Sequence, residues 1–546
     1  MIRAFSTVLL IFIFSLSFAQ TWQWAKYAGG TNLDYGNAII VDAIGNSYIT
    51  GYFYGSATFQ STNITSNGYG DVFLAKYNSN GNLVWIKTAG SAGGNDYGYG
   101  IALDQIGNLC ITGRFETSAI FGSYTLTASG NSDIFIAKYD TSGNTIWAKS
   151  AGALGNDAGN SISVDSVGNS FIAGYFNYGN SSNPLIIGND TMYSSVGESF
   201  IAKYNPFGNP VWAKRSVEVG SVSWQDAKIS TDNSSNVYTT CMFSDTIVIG
   251  ADTLISMTAI PFIAKYDSSG NPLWAKKIPF TGGPYLYDLK ADSIGNIYTT
   301  GEYIGTGILG TDTITNSTSN GSFYIAKYNT NGIAQWGQTA IGNDGSIGEG
   351  ISVDSYGNSY ISGTFLDTVT IGSNTMISAG NRDIFVAKYS TIGSFLWTKQ
   401  AGGLNYDVGN SIGNDANGNS YLIGTFYGGL PSFGSTMLNG YGSSDIFIAK
   451  LNDILTQTEI SYNSNSGFII YPNPFTAFTT IEFSNRLNLS FDFIIYNKLG
   501  QEVKRISQIS QTSIIVERGN LTNGIYFFSI QTKEGSTLSK GKLIIQ

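Results

Sequence analysis

The sequence predicts an all-β fold built from repeated four-stranded units. Seven tryptophans recur at intervals of 61 to 65 residues, at Trp24, Trp85, Trp147, Trp212, Trp274, Trp336 and Trp397. A fixed period of this length indicates small units that bury their apolar faces only against one another. The 34 tyrosines and 32 phenylalanines also favour strands over helices.

Each repeat contains four strand-like segments, which in the second copy are residues 100–103, 109–115, 133–139 and 145–149. The turn between the first two segments opens with an aspartate, Asp104, and Gly107 follows three residues later. This pattern is typical of a tight hairpin turn. Calcium requires six to eight oxygen ligands, and each turn offers one carboxylate, so we predict a structural turn and no metal site.

The two ends of the repeat region predict a closed ring. The chain begins with an unpaired Trp24-Ala25-Lys26 strand, and its last repeat stops at Lys450 with no following tryptophan strand. If the first strand completes the last unit, no sheet is left incomplete. We therefore predict a seven-bladed β-propeller of four-stranded antiparallel blades, closed by the N-terminal strand.

Tryptophan and lysine positions within the repeat have two interpretations each. A tryptophan present in every unit is expected to pack between units, and the alternative is stacking on sugars. Lysines recur at one position of the third strand, such as Lys76 and Lys138, and again after the tryptophans, such as Lys87 and Lys149. They are expected to protect outer strand edges, and the alternative is a basic patch for acidic polysaccharide.

Composition excludes several kinds of function. The chain has no histidine, so no Ser-His-Asp triad or histidine metal centre can form within it. Its formal net charge is -9, which argues against a nucleic-acid partner. We predict no cofactor and no catalytic residue. The two cysteines, Cys110 and Cys241, occupy different positions of the repeat and are not expected to form a disulfide.

The first nineteen residues have the pattern of an export signal. Arg3 precedes a short apolar stretch, and Ser17-Phe18-Ala19 supplies a cleavage sequence. No later segment is apolar enough over about 18 residues to span a membrane as a helix. We expect a protein that passes through the periplasm and is secreted or held at the outer-membrane surface.

The repeats resemble a known family. The segments 354–365 (DSYGNSYISGTF) and 383–389 (DIFVAKY) look like the seven-bladed β-propeller repeat (SBBP-type) of secreted bacterial proteins. The resemblance covers residues from about 22 to 451. It implies blades around a central channel, and it brings no established catalytic residues.

The C-terminal segment carries a second resemblance. It includes 471–475 (YPNPF), 496–503 (YNKLGQEV), 521–527 (LTNGIYF) and 541–546 (GKLIIQ). These motifs are similar to the type A sorting domain of the type IX secretion system in Bacteroidota, which implies the type IX secretion machinery as a partner. The predicted domains are a signal peptide at 1–19, the propeller at 20–451, a linker at 452–466 and the sorting domain at 467–546. From its residues alone, the last domain is predicted to be a small β-sandwich.

The most favoured function is a non-catalytic binding or adhesion scaffold for an extracellular glycan or protein. Its ligand is expected at loops that enter the innermost strands. In these loops an aspartate often neighbours a tyrosine, a combination that suits sugar hydroxyls and ring faces. The candidate binding residues are Asp34, Tyr35, Asp96, Tyr97, Asp157, Tyr406 and Asp407.

The alternative function is a carboxylate-dependent glycosidase or polysaccharide lyase. Such an enzyme needs two acids that flank one bond. Acids that depart from the repeat are Glu349, with Asp344 nearby in sequence, Glu302 and Glu116. The sequence does not pair them.

Overall fold

A computed structural model describes residues 20–177, 184–194, 197–220, 222–316, 320–342, 345–453, 468–471, 473, 475–483, 491–498, 500–509, 513–532 and 537–545. The chain divides into two compact units, one of which is Gln20–Asp453, while the other contains Ile454–Gln546. The predicted signal peptide and most of the predicted linker lie outside the described residues, as does Asp344. None of the described residues belongs to a helix that could cross a membrane.

The first unit consists of antiparallel strands joined by short turns. The strands up to residue 151 are β1 (Thr21–Gly30), β2 (Asp34–Val41), β3 (Ser47–Phe59), β4 (Thr62–Tyr77), β5 (Leu83–Ala89), β6 (Tyr97–Leu103), β7 (Leu109–Phe115), β8 (Ser118–Phe121), β9 (Tyr124–Thr127), β10 (Asp133–Tyr139) and β11 (Thr145–Ala151). The next are β12 (Ala158–Val164), β13 (Ser170–Phe176), β14 (Leu185–Ile187), β15 (Asp190–Met192), β16 (Glu198–Tyr204), β17 (Pro210–Arg215), β18 (Val222–Thr231), β19 (Val237–Ile249), β20 (Asp252–Tyr266) and β21 (Pro272–Lys277).

The remaining strands of this unit continue the same order. They are β22 (Tyr285–Ala291), β23 (Ile297–Tyr303), β24 (Gly305–Leu309), β25 (Asp312–Asn316), β26 (Ser322–Tyr328), β27 (Ala334–Gly342), β28 (Ser346–Val353), β29 (Ser359–Ile371), β30 (Asn374–Tyr389), β31 (Phe395–Ala401), β32 (Asp407–Asn414), β33 (Ser420–Phe426), β34 (Ser432–Phe433), β35 (Thr436–Met437) and β36 (Asp445–Asn452).

The main strands pair into four-stranded antiparallel groups, one for each sequence repeat. Within the described residues these groups are β2-β3-β4-β5, β6-β7-β10-β11, β12-β13-β16-β17, β18-β19-β20-β21, β22-β23-β26-β27, β28-β29-β30-β31 and β32-β33-β36-β1. We call them sheets 1 to 7 in that order. The all-β prediction is confirmed for the described residues, and the number of blades in a closed propeller stays a prediction.

The N-terminal strand completes sheet 7. Strand β1 pairs with β36 in a register that places Trp24 opposite Lys450 and Ala25 opposite Ala449. The innermost strands β2, β6, β12, β18, β22, β28 and β32 contact one another in that order, and β32 also contacts β2. Side-chain amides bridge some of these contacts: Asn37 Nδ2 donates to Gly98 O at 2.8 Å, and Asn410 Nδ2 donates to Gly36 O at 2.8 Å.

Each repeated tryptophan packs on the neighbouring sheet. Trp24 Nε1 donates to Ser79 O at 3.1 Å, and a side chain at Gly81 would collide with the Trp24 ring, since a Cβ there would lie 2.6 Å from it. Gly81 also has a φ of 76°, so both the backbone conformation and the Trp24 ring beside it require glycine at this position. Trp85, Trp147, Trp212, Trp274 and Trp336 repeat this bond to the next sheet. The packing interpretation of these residues is confirmed.

The third-strand lysines do not lie on edge strands, so the prediction of edge protection is wrong for them. Lys327 Nζ lies 5.1 Å from the centre of the Tyr298 ring and donates to Thr391 O of the next sheet at 3.0 Å. Lys265 has the same two kinds of contact. The third strand lies inside each sheet, so each of these lysines packs on a ring of the adjacent strand in its own sheet and donates a hydrogen bond to the next sheet.

The aspartate turns have the predicted structure. Asp104 Oδ1 accepts the N–H groups of Ile106 at 3.1 Å and Asn108 at 2.8 Å, and Gly107 has a φ of 90°. The turn that opens at Asp232 has serine in place of glycine, and Ser235 keeps the left-handed conformation with a φ of 59°. The carboxylate is thereby hydrogen-bonded to backbone N–H groups of its own turn.

The second unit is also formed by strands. They are β37 (Phe468–Tyr471), β38 (Phe478–Phe483), β39 (Phe491–Tyr496), β40 (Glu502–Ile509), β41 (Ser513–Glu517), β42 (Gly524–Thr532) and β43 (Thr537–Ile545). They form two sheets, β37-β38-β41 and β40-β39-β42-β43. Ile481 and Val516 from one sheet and Phe493, Phe528 and Leu543 from the other belong to one buried apolar cluster. The two sheets therefore share a core.

Candidate binding site

The predicted binding aspartates lie at or just before the first strands of four sheets. Asp34, Asp96, Asp157 and Asp407 are buried, with side chains no more than 1% exposed. Their carboxylates accept backbone N–H groups: Asp34 Oδ2 from Gly30 at 2.7 Å and Asp407 Oδ2 from Gly403 at 2.7 Å. These contacts fix the loop that enters each strand. Ligand binding by the four carboxylates stays a prediction.

Burial changes the acidity of these carboxyls. It raises the pKa of Asp34, Asp96, Asp157 and Asp407 to about 7 in each case, although their backbone hydrogen bonds act in the opposite direction. A buried carboxylate loses the hydration that stabilises its charge. Each group therefore carries a fractional charge near neutral pH.

The predicted tyrosines belong to one continuous aromatic surface. Their rings and those of three further tyrosines make contacts that run across sheets 7, 1 and 2. We call this set the tyrosine arc, and its members in spatial order are Tyr406, Tyr427, Tyr35, Tyr52, Tyr97 and Tyr54.

Ring distances establish the continuity of the arc. Tyr35 stacks on Tyr52 with centroids 4.9 Å apart, and Tyr52 lies 4.1 Å from Tyr97. At the other end Tyr427 lies 5.6 Å from Tyr406 and 6.5 Å from Tyr35. All of these rings are partly exposed. The arc thus presents aromatic area to solvent.

The arc carries polar groups at its edges. Tyr54 Oη and Tyr97 Oη are hydrogen-bonded at 2.5 Å, and Tyr54 Oη also donates to Asn95 Oδ1 at 3.3 Å. Burial raises the pKa of Tyr52 and Tyr54, so both phenols stay protonated at neutral pH. The hydroxyls can therefore donate as well as accept.

An arginine lies at each end of the arc. The Arg114 guanidinium lies 4.7 Å from the centre of the Tyr97 ring, and that of Arg382 lies 6.0 Å from the centre of the Tyr406 ring. Arg114 Nε is buried without a hydrogen-bond partner. The arc consequently ends in two planar cations, one of which retains an unused donor.

Acids that depart from the repeat lie on sheets 5 and 6. Glu302 Oε1 accepts a hydrogen bond from Tyr287 Oη at 3.1 Å. Burial raises the pKa of Glu349 to about 7, an effect that Lys228 and Arg382 oppose and the neighbouring Glu302 charge reinforces. Glu116 is used elsewhere, since its Oε2 accepts the Asn95 N–H at 3.0 Å. Glu302 and Glu349 are thus electrostatic neighbours.

Among the described residues, no group of three or more acidic or cysteine side chains is arranged to hold a metal ion. Cys110 and Cys241 are buried and form no disulfide bond.

The sequence did not reveal Tyr52, Tyr54, Tyr427 and Arg114. All four lie on or directly after the second strand of their sheet, and for Tyr52 and Tyr54 the alternation of residues 52–54 (YFY) carries the signal. Phe53 is fully buried, and its two neighbours point to the opposite face. Period-two alternation applied to β3 would have identified Tyr52 and Tyr54 as residues of one face.

The second unit matches a known family model. Residues 469–546 match the secretion system C-terminal sorting domain. The protein is exported, to the extracellular space or the cell surface. The same domain implies an interaction with the type IX secretion machinery.

Other likenesses are more distant. The chain is 25% identical over 358 residues to an uncharacterized WD repeat-containing protein of Acanthamoeba polyphaga mimivirus, an alignment that covers 54% of this chain and 26% of that protein. The chain therefore spans about a quarter of the length of that curated relative.

Two solved structures show some likeness to this chain. The extracellular domain of a proposed one-component system from B. thetaiotaomicron is 12% identical, with a TM-score of 0.18 and coverage of 94% of this chain and 79% of that chain. Morganella morganii TcdA4 is 8% identical, with a TM-score of 0.17 and coverage of 70% and 21%. Scores this low carry no argument about a shared fold.

Proposed function

We propose that residues 20–451 form a seven-bladed β-propeller that acts outside the cell as a non-catalytic binding or adhesion scaffold for a glycan. Support for the ring comes from the cyclic contacts of the innermost strands and from the β1 to β36 pairing. The proposal includes the SBBP-type repeat, an origin in Bacteroidota and a signal peptide at 1–19. The likeness to a WD repeat-containing protein agrees with a repeat architecture.

The observation that carries the glycan assignment is the tyrosine arc. Sugar rings present apolar C–H faces that pack on aromatic rings and hydroxyls that pair with phenols and guanidinium groups. The arc offers both, with Tyr35, Tyr52 and Tyr97 side by side and Arg114 beside them. A protein partner would use the same aromatic and arginine anchors.

A glycan array tests this assignment with the exported chain. We expect Tyr52→Ala and Tyr97→Ala each to weaken binding by about tenfold, since an aromatic contact contributes about 0.5–1.5 kcal/mol beyond the buried area. Tyr356→Ala is the matched control, because Tyr356 is 63% exposed in a turn outside the arc. Binding unchanged in both arc variants, with circular dichroism like the parent, would remove the assignment.

A carboxylate-dependent glycosidase or lyase is the second candidate. It is favoured by the proximity of Glu349 to Glu302 and by the raised pKa of Glu349, which suits a general acid. A screen on polysaccharides with Glu349→Gln as the comparison tests it. Turnover by the parent that the variant abolishes would replace the non-catalytic proposal.

A further inference from the structure

Exposed apolar side chains recur at one position of the first turn, the turn that joins the first two strands of a sheet. They lie two residues after the turn aspartate, and five of the seven first turns have one. We call this set the apolar crown. Its members, with their exposed fractions, are Ile44 (78%), Ile106 (79%), Val167 (68%), Ile294 (72%) and Tyr356 (63%).

The first turns lie side by side at one end of the sheets. The Ala416 N–H of sheet 7 donates to Ala43 O of sheet 1 at 3.4 Å, and the Asn233 N–H of sheet 4 donates to Ser293 O of sheet 5 at 3.2 Å. The first strands begin beside the tyrosine arc and end at these turns, as β2 does. The crown and the arc therefore lie at opposite ends of the first strands.

The second turns, which join the third and fourth strands, extend the apolar area at this end. A Cβ atom added to Gly168 in the first turn of sheet 3 would lie 3.6 Å from Pro206 in the second turn. Phe207 and Ile392 occupy the corresponding position of second turns and are 78% and 76% exposed. The crown thus has aromatic and aliphatic neighbours on the same end of the sheets.

The turn itself does not require an apolar side chain at the crown position. The Ser234 N–H donates to Asp232 Oδ1 at 2.9 Å, as the Ile106 N–H donates to Asp104 Oδ1 at 3.1 Å, so serine forms the same turn. Asn417 occupies this position in sheet 7. Water disfavours exposed apolar area, and its recurrence at one end of a protein marks an interaction surface.

Lysines reach the turns beside the crown. Lys327 Nζ donates to Thr391 O, next to Ile392, at 3.0 Å, and Lys450 Nζ donates to Ser79 O at 3.4 Å. Both lysines are partly exposed, and an ammonium group carries three donors, so each can bond a further acceptor. The turn carboxylates, by contrast, accept N–H groups of their own turns. This end therefore combines apolar tips with cations.

The polypeptide also leaves the first unit at this end. Asp453, the last residue of the unit, donates its N–H to Asn419 Oδ1 at 3.3 Å, and Asn419 closes the first turn of sheet 7. The chain continues to the sorting domain matched at residues 469–546, which indicates export to the extracellular space or the cell surface. In a chain that stays at the cell surface, the crown lies at the end from which the polypeptide continues.

We propose that the apolar crown docks on an anionic lipid surface outside the cell, with its side chains among the lipid headgroups and the lysines beside lipid phosphates. Apolar tips with neighbouring cations are the combination that binds the interface of such a bilayer. A second copy facing the crown would bring the lysines of two chains together, which like charges oppose. Docking at this end leaves the tyrosine arc free, and the inference does not depend on glycan binding.

Co-sedimentation of the exported chain with vesicles of phosphatidylcholine and phosphatidylglycerol measures the docking. We expect the parent to sediment with the vesicles and Ile106→Ser/Ile294→Ser to bind about a hundredfold more weakly, because burying one isoleucine contributes about tenfold or more. Ile308→Ser/Ile377→Ser is the matched control and binds like the parent. It removes two isoleucines that are 61% and 66% exposed in hairpins beside outermost strands.

A dye at the crown gives a second measurement on a chain that keeps its other crown residues. Cys110 and Cys241 are buried, so an environment-sensitive fluorophore attached to Ile106→Cys reports that position. We expect its emission to move to shorter wavelength when the vesicles are added. The same fluorophore on Ile308→Cys should keep its spectrum.

Three results would overturn the proposal. The first is a parent that stays in the supernatant, and the second is Ile106→Ser/Ile294→Ser bound as well as the matched control. The third is a parent that is dimeric by analytical ultracentrifugation without vesicles, that the crown substitutions make monomeric, and that binds no vesicles, which would assign the crown to a second copy. Loss of glycan binding in the arc variants changes none of these results, so the two proposals fail separately.

Discussion

The side chain of Asp453 accepts a hydrogen bond from a repeated tryptophan, a bond that a backbone carbonyl accepts at the other sheets. In sheets 3 to 5, the tryptophan of one sheet donates to a turn carbonyl of the next, as Trp212 does to Ser268 O at 3.2 Å. At the end of the first unit, Trp397 Nε1 donates instead to Asp453 Oδ1 at 3.1 Å. Asp453 Oδ2 accepts Tyr360 Oη at 3.0 Å and forms an ion pair with Lys388 at 2.6 Å.

We expect Asp453→Ala to destabilise the folded chain by about 3–5 kcal/mol. The Lys388 and Asp453 side chains are each 3% exposed, so the substitution leaves a buried ammonium group without its partner. Asp453→Asn keeps one acceptor oxygen, which can serve Trp397, and removes the charge and the second acceptor, for which we expect a cost of about 1.5–3 kcal/mol.

Urea unfolding followed by tryptophan fluorescence and far-ultraviolet circular dichroism measures both variants. Ser268→Ala is the matched control, because Lys203 and Trp212 bond to the backbone carbonyl of that residue and lose nothing when the hydroxyl is removed. If the unfolding free energy of Asp453→Ala lies within about 1 kcal/mol of that of Ser268→Ala, the buried ion pair does not stabilise the end of the first unit, and the reasoning is refuted.

Three further predictions concern closure, pH and a thiol. Trp24→Ala should cost about 3–5 kcal/mol in urea unfolding, because its ring packs on Gly81 and its indole bonds to Ser79 O; a cost no greater than that of Tyr356→Ala would contradict closure by β1. Burial raises the pKa of Asp157 to about 7, against about 3.9 in the unfolded chain, so between these pH values the folded state binds one more proton at Asp157 than the unfolded state does. The contribution of Asp157 to the stability of the fold is therefore complete below about pH 4 and is lost as the pH rises through 7. Scanning calorimetry between pH 4 and pH 7 checks this, and a melting temperature that rises with pH would contradict it. Burial raises the pKa of Cys110 to about 11, so a thiol reagent at pH 8 should label it only at the rate of unfolding, and faster labelling would show an open boundary.

The repeat period made most of the strand pattern predictable. The turn aspartates and glycines fix local conformation through their own backbone contacts, which depend on few distant residues. The unpaired strand at Trp24 indicated pairing with the last repeat, and the structure pairs it with β36. The lysine prediction was wrong because strand position in the sheet, rather than residue type, decides whether a side chain meets solvent or a neighbouring ring.

The candidate site was predictable only in part. Tyr35, Tyr97 and Tyr406 were identified beside aspartates, and the structure brings them into one arc. Tyr52 contacts Tyr97, and Tyr427 contacts Tyr35, across boundaries between sheets. Alternation along a strand shows which face a ring occupies, but it does not show which rings of different sheets meet. The aspartates were expected to face a ligand; their carboxylates accept backbone N–H groups, and ligand binding by them stays a prediction.

The sequence by itself determined the repeat, the four main strands of each unit, their turns and the export domain, because these depend on contacts within about 60 residues or on a motif read directly. Only the tertiary structure decided which residues of different sheets meet. Trp24 reaches Ser79, Tyr35 reaches Tyr427, and Asp34 faces Asp445 across more than four hundred residues of chain. The physical reason is that stacking adjacent sheets creates buried boundaries whose charge and aromatic area belong to two sheets at once, and no single repeat contains both halves.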